Sequence, residues 1–124
     1  VGGDNVYDVT GRASDGTLFD DQAIAVTITN VNEPPVITSN GGGATAGVSV
    51  AENVTAVTTV LATDVDAATT ITYSIVGGAD QALFTINGST GALAFLAAPD
   101  FEAPADVGGD NVYDVTGRAS DGTL

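Results

Sequence analysis

Apolar and polar residues alternate over short segments along much of the chain, and a period of two predicts β-strands rather than helices. In residues 23–29, Ile and Val alternate with Ala and Thr, which indicates a strand with one buried face. Turn-forming Gly, Pro, Asn or Asp residues separate the apolar segments. Further strands are predicted at 36–38, 47–51, 57–63, 71–75, 84–86, 92–95 and 112–119. Residues 87–91 (NGSTG) supply the positive φ angles that a tight hairpin needs.

A long exact repeat sets the organisation of the chain. Residues 1–18 (VGGDNVYDVTGRASDGTL) recur unchanged as residues 107–124, which gives a period of 106 from Val1 to Val107. This period is too long for the units of about 20 to 50 residues that build solenoids, so each repeat is expected to be a domain with its own core. The fold class predicted is all-β: a seven-stranded Greek-key β-sandwich, immunoglobulin-like, in a tandem array.

A proline-containing segment divides the chain. Residues 30–35 (NVNEPP) follow one predicted strand and precede another, and their two prolines favour an extended linker. Residues 1–32 are therefore interpreted as the last two strands of one repeat plus the start of a linker. Residues 33–124 are interpreted as the next sandwich without its final strand. Two hypotheses explain that arrangement: the final strand follows in a covalent array of repeats, or a neighbouring copy donates it.

Composition restricts the possible partners. The net charge is −14, with 16 Asp and Glu against Arg12 and Arg118, which argues against nucleic acid and anionic membrane surfaces. Cys and His are absent, so disulfides and zinc sites with thiolate or imidazole ligands are excluded. No segment is apolar enough for membrane insertion. A divalent cation is the natural partner for such a surface.

The acidic residues are concentrated near predicted strand ends and loops. In an extended segment alternate residues point to the same side, so Asp64/Asp66 and Asp100/Glu102 each place two carboxylates together. Ca²⁺ suits such a site because it accepts six to eight oxygen ligands in loose geometry. The alternative reading, that these acidic loops only keep the surface soluble, also fits.

At this point several motifs together resemble the cadherin repeat, in the form found in large bacterial surface proteins and secreted repeat adhesins. The resemblance covers the whole period and depends on the order and spacing of the motifs. They are residues 51–53 (AEN), which stand in the place of Pro-Glu-Asn, 62–66 (ATDVD) for Asp-x-Asp, 84–86 with 90–93 for the middle hairpin, 100–102 (DFE) for Asp-Arg-Glu, and 113–122 (YDVTGRASDG) for the Ala-x-Asp strand.

The resemblance implies structural calcium at the junctions between successive domains. For the junction around the linker it implies the ligands Asn30, Asn32, Glu33, Asp64, Asp66 and Asp121. For the opposite end of the sandwich it implies Glu52, Asp100 and Glu102, which would be completed by a following linker. Asp121-Gly122 and its copy Asp15-Gly16 are equally consistent with hairpin turns.

The function expected is structural or adhesive: a calcium-rigidified extracellular rod or filament at the cell surface, in contact with adjacent repeats or neighbouring copies. A glycan-binding or homophilic adhesion module is the second hypothesis, and it requires an exposed aromatic or apolar patch. An enzyme is not expected, because no nucleophile with a base partner is visible. Asp100/Glu102 as a glycosidase pair would need a cleft with aromatic platforms, and the chain has no Trp.

Overall fold

The computed structural model describes residues 3–124 and divides the chain into two compact units, Val1–Asn32 and Glu33–Leu124. The described residues form nine antiparallel strands and two short 3₁₀ turns, so the predicted all-β class is confirmed. The boundary coincides with the position in the linker where the sequence places it. Among the described residues, no helix is long and apolar enough to cross a membrane.

The first unit is a two-stranded hairpin of β1 (Val6–Ser14) and β2 (Phe19–Thr27), paired over nine positions from Val6↔Thr27 to Ser14↔Phe19. Asp15 closes the turn, because its Oδ1 accepts the N–H groups of Thr17 and Leu18 at 2.9 and 2.8 Å. Gly16 takes the φ of +96° that the turn requires.

The two faces of the hairpin differ in character. On one face Arg12 lies opposite Asp21 and donates two hydrogen bonds to its carboxylate, at 2.7 and 2.9 Å, while its guanidinium stacks 3.7 Å from the Phe19 ring centre. The other face is exposed and is apolar at the end away from the turn. There it carries Tyr7, Val9, Ile24 and Val26, which are 60%, 55%, 44% and 45% exposed.

The second unit contains seven strands in three small antiparallel sheets. One sheet pairs β3 with β5, one has the order β4-β8-β7, and one pairs β6 with β9. The strands are β3 (Val36–Ile37), β4 (Ala56–Thr59), β5 (Ala62–Thr63), β6 (Thr72–Gly77), β7 (Phe84–Ile86), β8 (Ala92–Phe95) and β9 (Thr116–Ser120), and the 3₁₀ turns are Ser39–Gly41 and Gln81–Leu83. This arrangement is consistent with a sandwich, while the Greek-key order stays a prediction.

The core of the second unit is small and aromatic. Phe84, Leu93 and Phe95 are 7–9% exposed, with Phe84 and Phe95 stacked at 4.5 Å between ring centres. Tyr113 packs edge-on against Phe95 at 5.1 Å. Three other aromatic residues, Tyr7, Phe19 and Phe101, lie outside this core and are at least 60% exposed.

The hairpin between β7 and β8 follows the expectation for residues 87–91. Asn87 Oδ1 accepts the N–H groups of Ser89 and Thr90, and Gly91 adopts φ +76°. A Cβ on Gly91 would lie 2.0 Å from the carbonyl oxygen of Val60, so only glycine fits. The Gly91 carbonyl in turn accepts the N–H of Val60 at 2.8 Å, which fastens this hairpin to the end of β4.

Three strand predictions need correction. Residues 47–51 form no strand. Residues 57–63 form two strands in different sheets, because the intervening Val60 and Leu61 bond instead to Gly91 and to Ser39. The predicted strand 112–119 begins only at Thr116.

Two buried carboxylates fix the segment before β9, and the sequence interpretation did not single them out. Asp80 is 3% exposed and accepts the N–H groups of Val107 and Asp114 at 2.7 and 2.8 Å. Asp106 is 7% exposed and accepts those of Asp110 and Asn111, both at 3.0 Å. For Asp106, burial acts to raise the pKa, but these hydrogen bonds outweigh burial and the pKa lies below its usual value.

We expect Asp80→Asn to destabilise the second unit by about 2 kcal/mol, because the amide nitrogen faces a buried N–H donor and leaves it unpaired. Urea unfolding followed by tyrosine fluorescence measures the change. Asp114→Asn is the matched control, since Asp114 contacts Asp80 through its backbone and is exposed. Equal destabilisation by both substitutions would contradict this role of the Asp80 carboxylate.

Candidate metal centre

Three predicted ligands from two separate segments meet in the second unit. Glu52, Asp100 and Glu102 each offer a carboxylate oxygen, and these oxygens lie within 4.8 Å of one another at an exposed position. Among the described residues this is the one group of three or more acidic side chains so placed. The sequence interpretation put the same three residues at one end of the sandwich.

Backbone contacts hold the two acidic segments together. The Phe101 N–H donates to Glu52 Oε2 at 2.9 Å, and the Asn53 N–H donates to the Pro99 carbonyl at 2.9 Å. Asp100 Oδ1 accepts the N–H of Glu102 at 3.0 Å, and Asn53 sits at φ +65°. The cluster therefore arises from the local fold of both loops and requires no attraction between the carboxylates.

Repulsion within the cluster affects the pKa of Glu102. A backbone hydrogen bond at Glu102 acts to lower its pKa, but the negative charge of Glu52 is the next largest influence and raises it. Slight desolvation and hydrogen bonding with Asp100 and Glu52 raise it further, and the pKa of Glu102 lies above the usual value for Glu. A carboxyl shifted in this direction gains from a cation placed beside it.

The pair Asp64 and Asp66 follows β5, and both residues are half-buried. Asp64 Oδ1 accepts the N–H of Asp66 at 2.8 Å, and Asp66 Oδ2 accepts the N–H of Glu33 at 2.9 Å. Thr69 Oγ1 donates to the Asp66 carbonyl at 2.9 Å and completes the loop. Glu33, Asp64 and Asp66 thus form one hydrogen-bonded group within the second unit.

One oxygen of this group has an unusual environment. Asp64 Oδ2 is buried and has no hydrogen-bond partner among the described residues. Burying an unpaired charged oxygen is costly, so such atoms in folded proteins normally meet a donor, a water molecule or a cation. Asp64 Oδ2 is therefore the atom at which an added ligand is most needed.

For the other predicted ligands, the structure gives their position relative to the nearest strand. Asp121 lies in the turn after β9, where its Oδ1 accepts the N–H groups of Thr123 and Leu124 and Gly122 adopts φ +95°. This turn has the same hydrogen bonds as the turn at Asp15, which joins the two strands of a hairpin. The role of Asp121 as a ligand stays a prediction. Asn30 and Asn32 lie after β2 at the end of the first unit. Their predicted role as ligands stays a prediction.

The exposed cluster fits a calcium ion in size and chemistry. Ligand oxygens bind Ca²⁺ at about 2.4 Å, so two oxygens on opposite sides of the ion are about 4.8 Å apart. The oxygens of Glu52, Asp100 and Glu102 lie within that limit. The cluster consists of hard oxygen donors, and the sequence contains no Cys or His, which excludes the ligand sets of most zinc sites.

Comparison with known proteins gives one partial similarity. No family model matches the chain. A stretch of 36 residues is 53% identical to Halomucin from Haloquadratum walsbyi. That stretch is 29% of this chain and, to the nearest per cent, 0% of Halomucin. The chain thus spans a very small part of the protein that it matches.

In excess chelator we expect Glu102→Gln to raise the melting temperature at neutral pH. The folded-state pKa of Glu102 is raised, so ionisation of Glu102 destabilises the fold once the pH exceeds the usual Glu value. The difference between the variant and the native chain should shrink as the pH falls below that value, because native Glu102 is then protonated in both states. Calorimetric melts across this range measure it. A difference that is constant with pH would contradict the assignment.

Proposed function

We propose that this chain is a structural module of an extracellular surface protein, of the cadherin-repeat type, in which calcium stiffens the loops at the ends of a β-sandwich. The observation that carries the proposal is the convergence of Glu52, Asp100 and Glu102 from two segments. The role of calcium is structural, and the chain is not proposed to be an enzyme.

The charge distribution supports calcium binding over a merely solubilising surface. Three carboxylates with oxygens within 4.8 Å of one another repel, and solubility alone gains nothing from that repulsion. In the described residues, Arg12 is paired with Asp21 in the hairpin, so it serves the first unit. A divalent cation at the cluster would replace repulsion between the three carboxylates by attraction.

The loop of Asp64 and Asp66 supplies independent support. Its buried, unpartnered Asp64 Oδ2 would gain a partner from a bound cation, and Glu33 is already joined to the same loop. The cadherin resemblance assigns these residues to the junction between domains. We propose Glu33, Asp64 and Asp66 as a second calcium-binding group within the second unit.

The proposed location rests on composition and on the comparison. Halomucin is by its name a mucin-type protein, and the partial similarity favours a role at the cell surface. Extracellular calcium modules bind the ion at about 10⁻⁴ to 10⁻³ M, so they are filled outside the cell. A rod or filament of such modules, in contact with adjacent repeats, is the assembly that we propose.

Saturating calcium should raise the melting temperature of the native chain, and excess chelator should reverse the rise. At a free calcium concentration 100 times the Kd, one site adds about 2.7 kcal/mol to the free energy of unfolding. The exposed cluster contributes part of this rise in melting temperature, and Glu102→Gln should remove most of that part. Differential scanning calorimetry in calcium and in chelator measures both.

Asp8→Asn is the control for charge, because it removes one carboxylate from the exposed hairpin and should respond to calcium like the native chain. Asp64→Asn tests the second group and should reduce the remaining response. An identical melt with and without calcium in the native chain would refute calcium binding. Equal responses of Glu102→Gln and the control would refute the assignment of the cluster.

A further inference from the structure

The two copies of one sequence adopt different structures. Residues 6–14 form the nine-residue strand β1 and pair with β2 along their whole length. Residues 112–120 have the same sequence, yet only Thr116–Ser120 form a strand, β9, which pairs with β6. Because the letters are identical, the difference must come from the neighbours of each copy.

The backbone edge that β1 uses for β2 can be read from the hairpin. The Asp15 N–H donates to the Leu18 carbonyl, and the Ile28 N–H donates to the Asn5 carbonyl. Since the backbone groups of a strand alternate in direction, the odd-numbered residues of β1 direct theirs towards β2. In the second copy these positions correspond to residues 113, 115, 117 and 119.

In the second copy, the backbone groups of even-numbered residues make the hydrogen bonds. The Asp114 N–H donates to the Asp80 carboxylate, the Asp114 carbonyl accepts the Asp80 N–H, and the Ser120 carbonyl accepts from the Thr72 hydroxyl of β6. The backbone edge formed by the odd-numbered residues of 113–119 therefore faces away from β6. Within residues 3–124, β9 has no strand other than β6 beside it.

A groove accompanies this edge. It has a volume of about 780 Å³ and runs beside residues 111–117. Side chains at the odd positions of this segment are half-buried, whereas those at the even positions up to 118 are exposed. The apolar residues that line the groove include Val48, Val57, Phe84, Phe95, Tyr113 and Val115. The edge and the groove together have the form of a site for one further strand.

The hairpin itself shows which strand matches the site. In the first unit Val9 lies opposite Ile24, and Tyr7 lies opposite Val26. Their copies in the second unit are Val115 and Tyr113, which line the groove. A strand with the sequence of β2, paired in the same register, would therefore place Ile24 and Val26 over the groove.

We infer that β2 of one copy of this chain leaves its own β1 and pairs with residues 112–120 of another copy. The new pair keeps the register of the β1–β2 hairpin. The exchange conserves the paired sequence, because the old and new partners have identical residues. It adds burial, because Ile24 and Val26 leave an exposed hairpin face and enter the groove. An isolated two-stranded hairpin is at best marginally stable, so β2 can open from β1.

The geometry of this contact makes it self-propagating. Within residues 3–124 the donor strand β2 and the acceptor edge of residues 112–120 lie at different places, so the contact is head-to-tail and generates open chains of subunits unless a ring closes. This inference goes beyond the proposed function and does not depend on calcium. It predicts assembly by strand exchange even if neither acidic group binds a metal ion.

Cross-linking in a defined register tests the inference, since the native chain has no cysteine. Ala23 lies opposite Thr10 in the hairpin, and the copy of Thr10 is Thr116. This is a non-hydrogen-bonded position, where opposed Cα atoms are about 4.5 Å apart and a disulfide can form. We expect a mixture of the Ala23→Cys chain and the Thr116→Cys chain to form the mixed disulfide under mild oxidation.

Two controls use the chain's own symmetry. In the first control the Ala25→Cys chain is used instead of the Ala23→Cys chain, which shifts the register by two residues. In the second, the Thr10→Cys chain is used instead of the Thr116→Cys chain, which keeps the local sequence but removes the groove. Both should give several-fold less mixed disulfide, as measured by intact mass of differently tagged chains. Absence of the 23–116 product, or equal yields in either control, would overturn the inference.

Sedimentation of the native chain provides a second measurement. The average mass should rise above 12.2 kDa with increasing concentration. Ile24→Asp should abolish this rise, and Ala23→Asp on the opposite face of β2 should preserve it. A monomer at all concentrations, or equal effects of the two substitutions, would overturn the inference. Both experiments are performed in calcium and in chelator, so failure of calcium binding and failure of strand exchange give different results.

Discussion

The shortage of large apolar side chains is the constraint on which the rest of this structure depends. In the described residues, Tyr73, Phe84, Leu93 and Phe95 are the large apolar residues at or below 9% exposure. Burying such a side chain stabilises a fold by about 1.5–3 kcal/mol, whereas ordering each backbone residue costs about 1–2 kcal/mol. A core of this size cannot order long loops by packing alone.

Carboxylates supply much of the order that the core does not. Asp80 and Asp106 each accept two backbone N–H groups, and Asp15 and Asp121 do the same within their turns. The loops are thereby fixed by acceptors that carry charge, and these four residues contribute to the net charge of −14. The same chemistry places carboxylates near one another at the sheet ends, which creates the conditions for metal binding. The proposed ligands Glu52, Asp64 and Asp100 also accept backbone N–H groups, so one carboxylate can fix a loop with one oxygen and offer the other to a cation.

Sequence patterns were most informative where strand and turn signals were local. The β7–β8 hairpin followed from the turn residues between two apolar segments, and the strand at 92–95 matches β8. The sequence could not show that the chain changes sheet at Val60 and Leu61, because distant partners, Gly91 and Ser39, determine that change. Nor could it separate Asp80 and Asp106 from the surface acids, since their burial arises from the path of residues 106–114. The grouping of Glu52 with Asp100 and Glu102 came from a family resemblance, and spacing alone does not bring together residues from two segments.

The pairing of β6 with β9 also sets the order in which the second unit can be completed. Thr72 meets Ser120 across a separation of 48 residues, whereas β7 and β8 meet across a short turn. At synthesis rates of about 5–20 residues per second, β6 waits roughly 2–10 s for its partner to emerge. During that interval the small β7–β8 hairpin can form, but the aromatic core lacks Tyr113 and stays open. The second unit therefore closes only after residues 113–120 have been synthesised, and until then β6 lacks the neighbouring strand that completes its sheet.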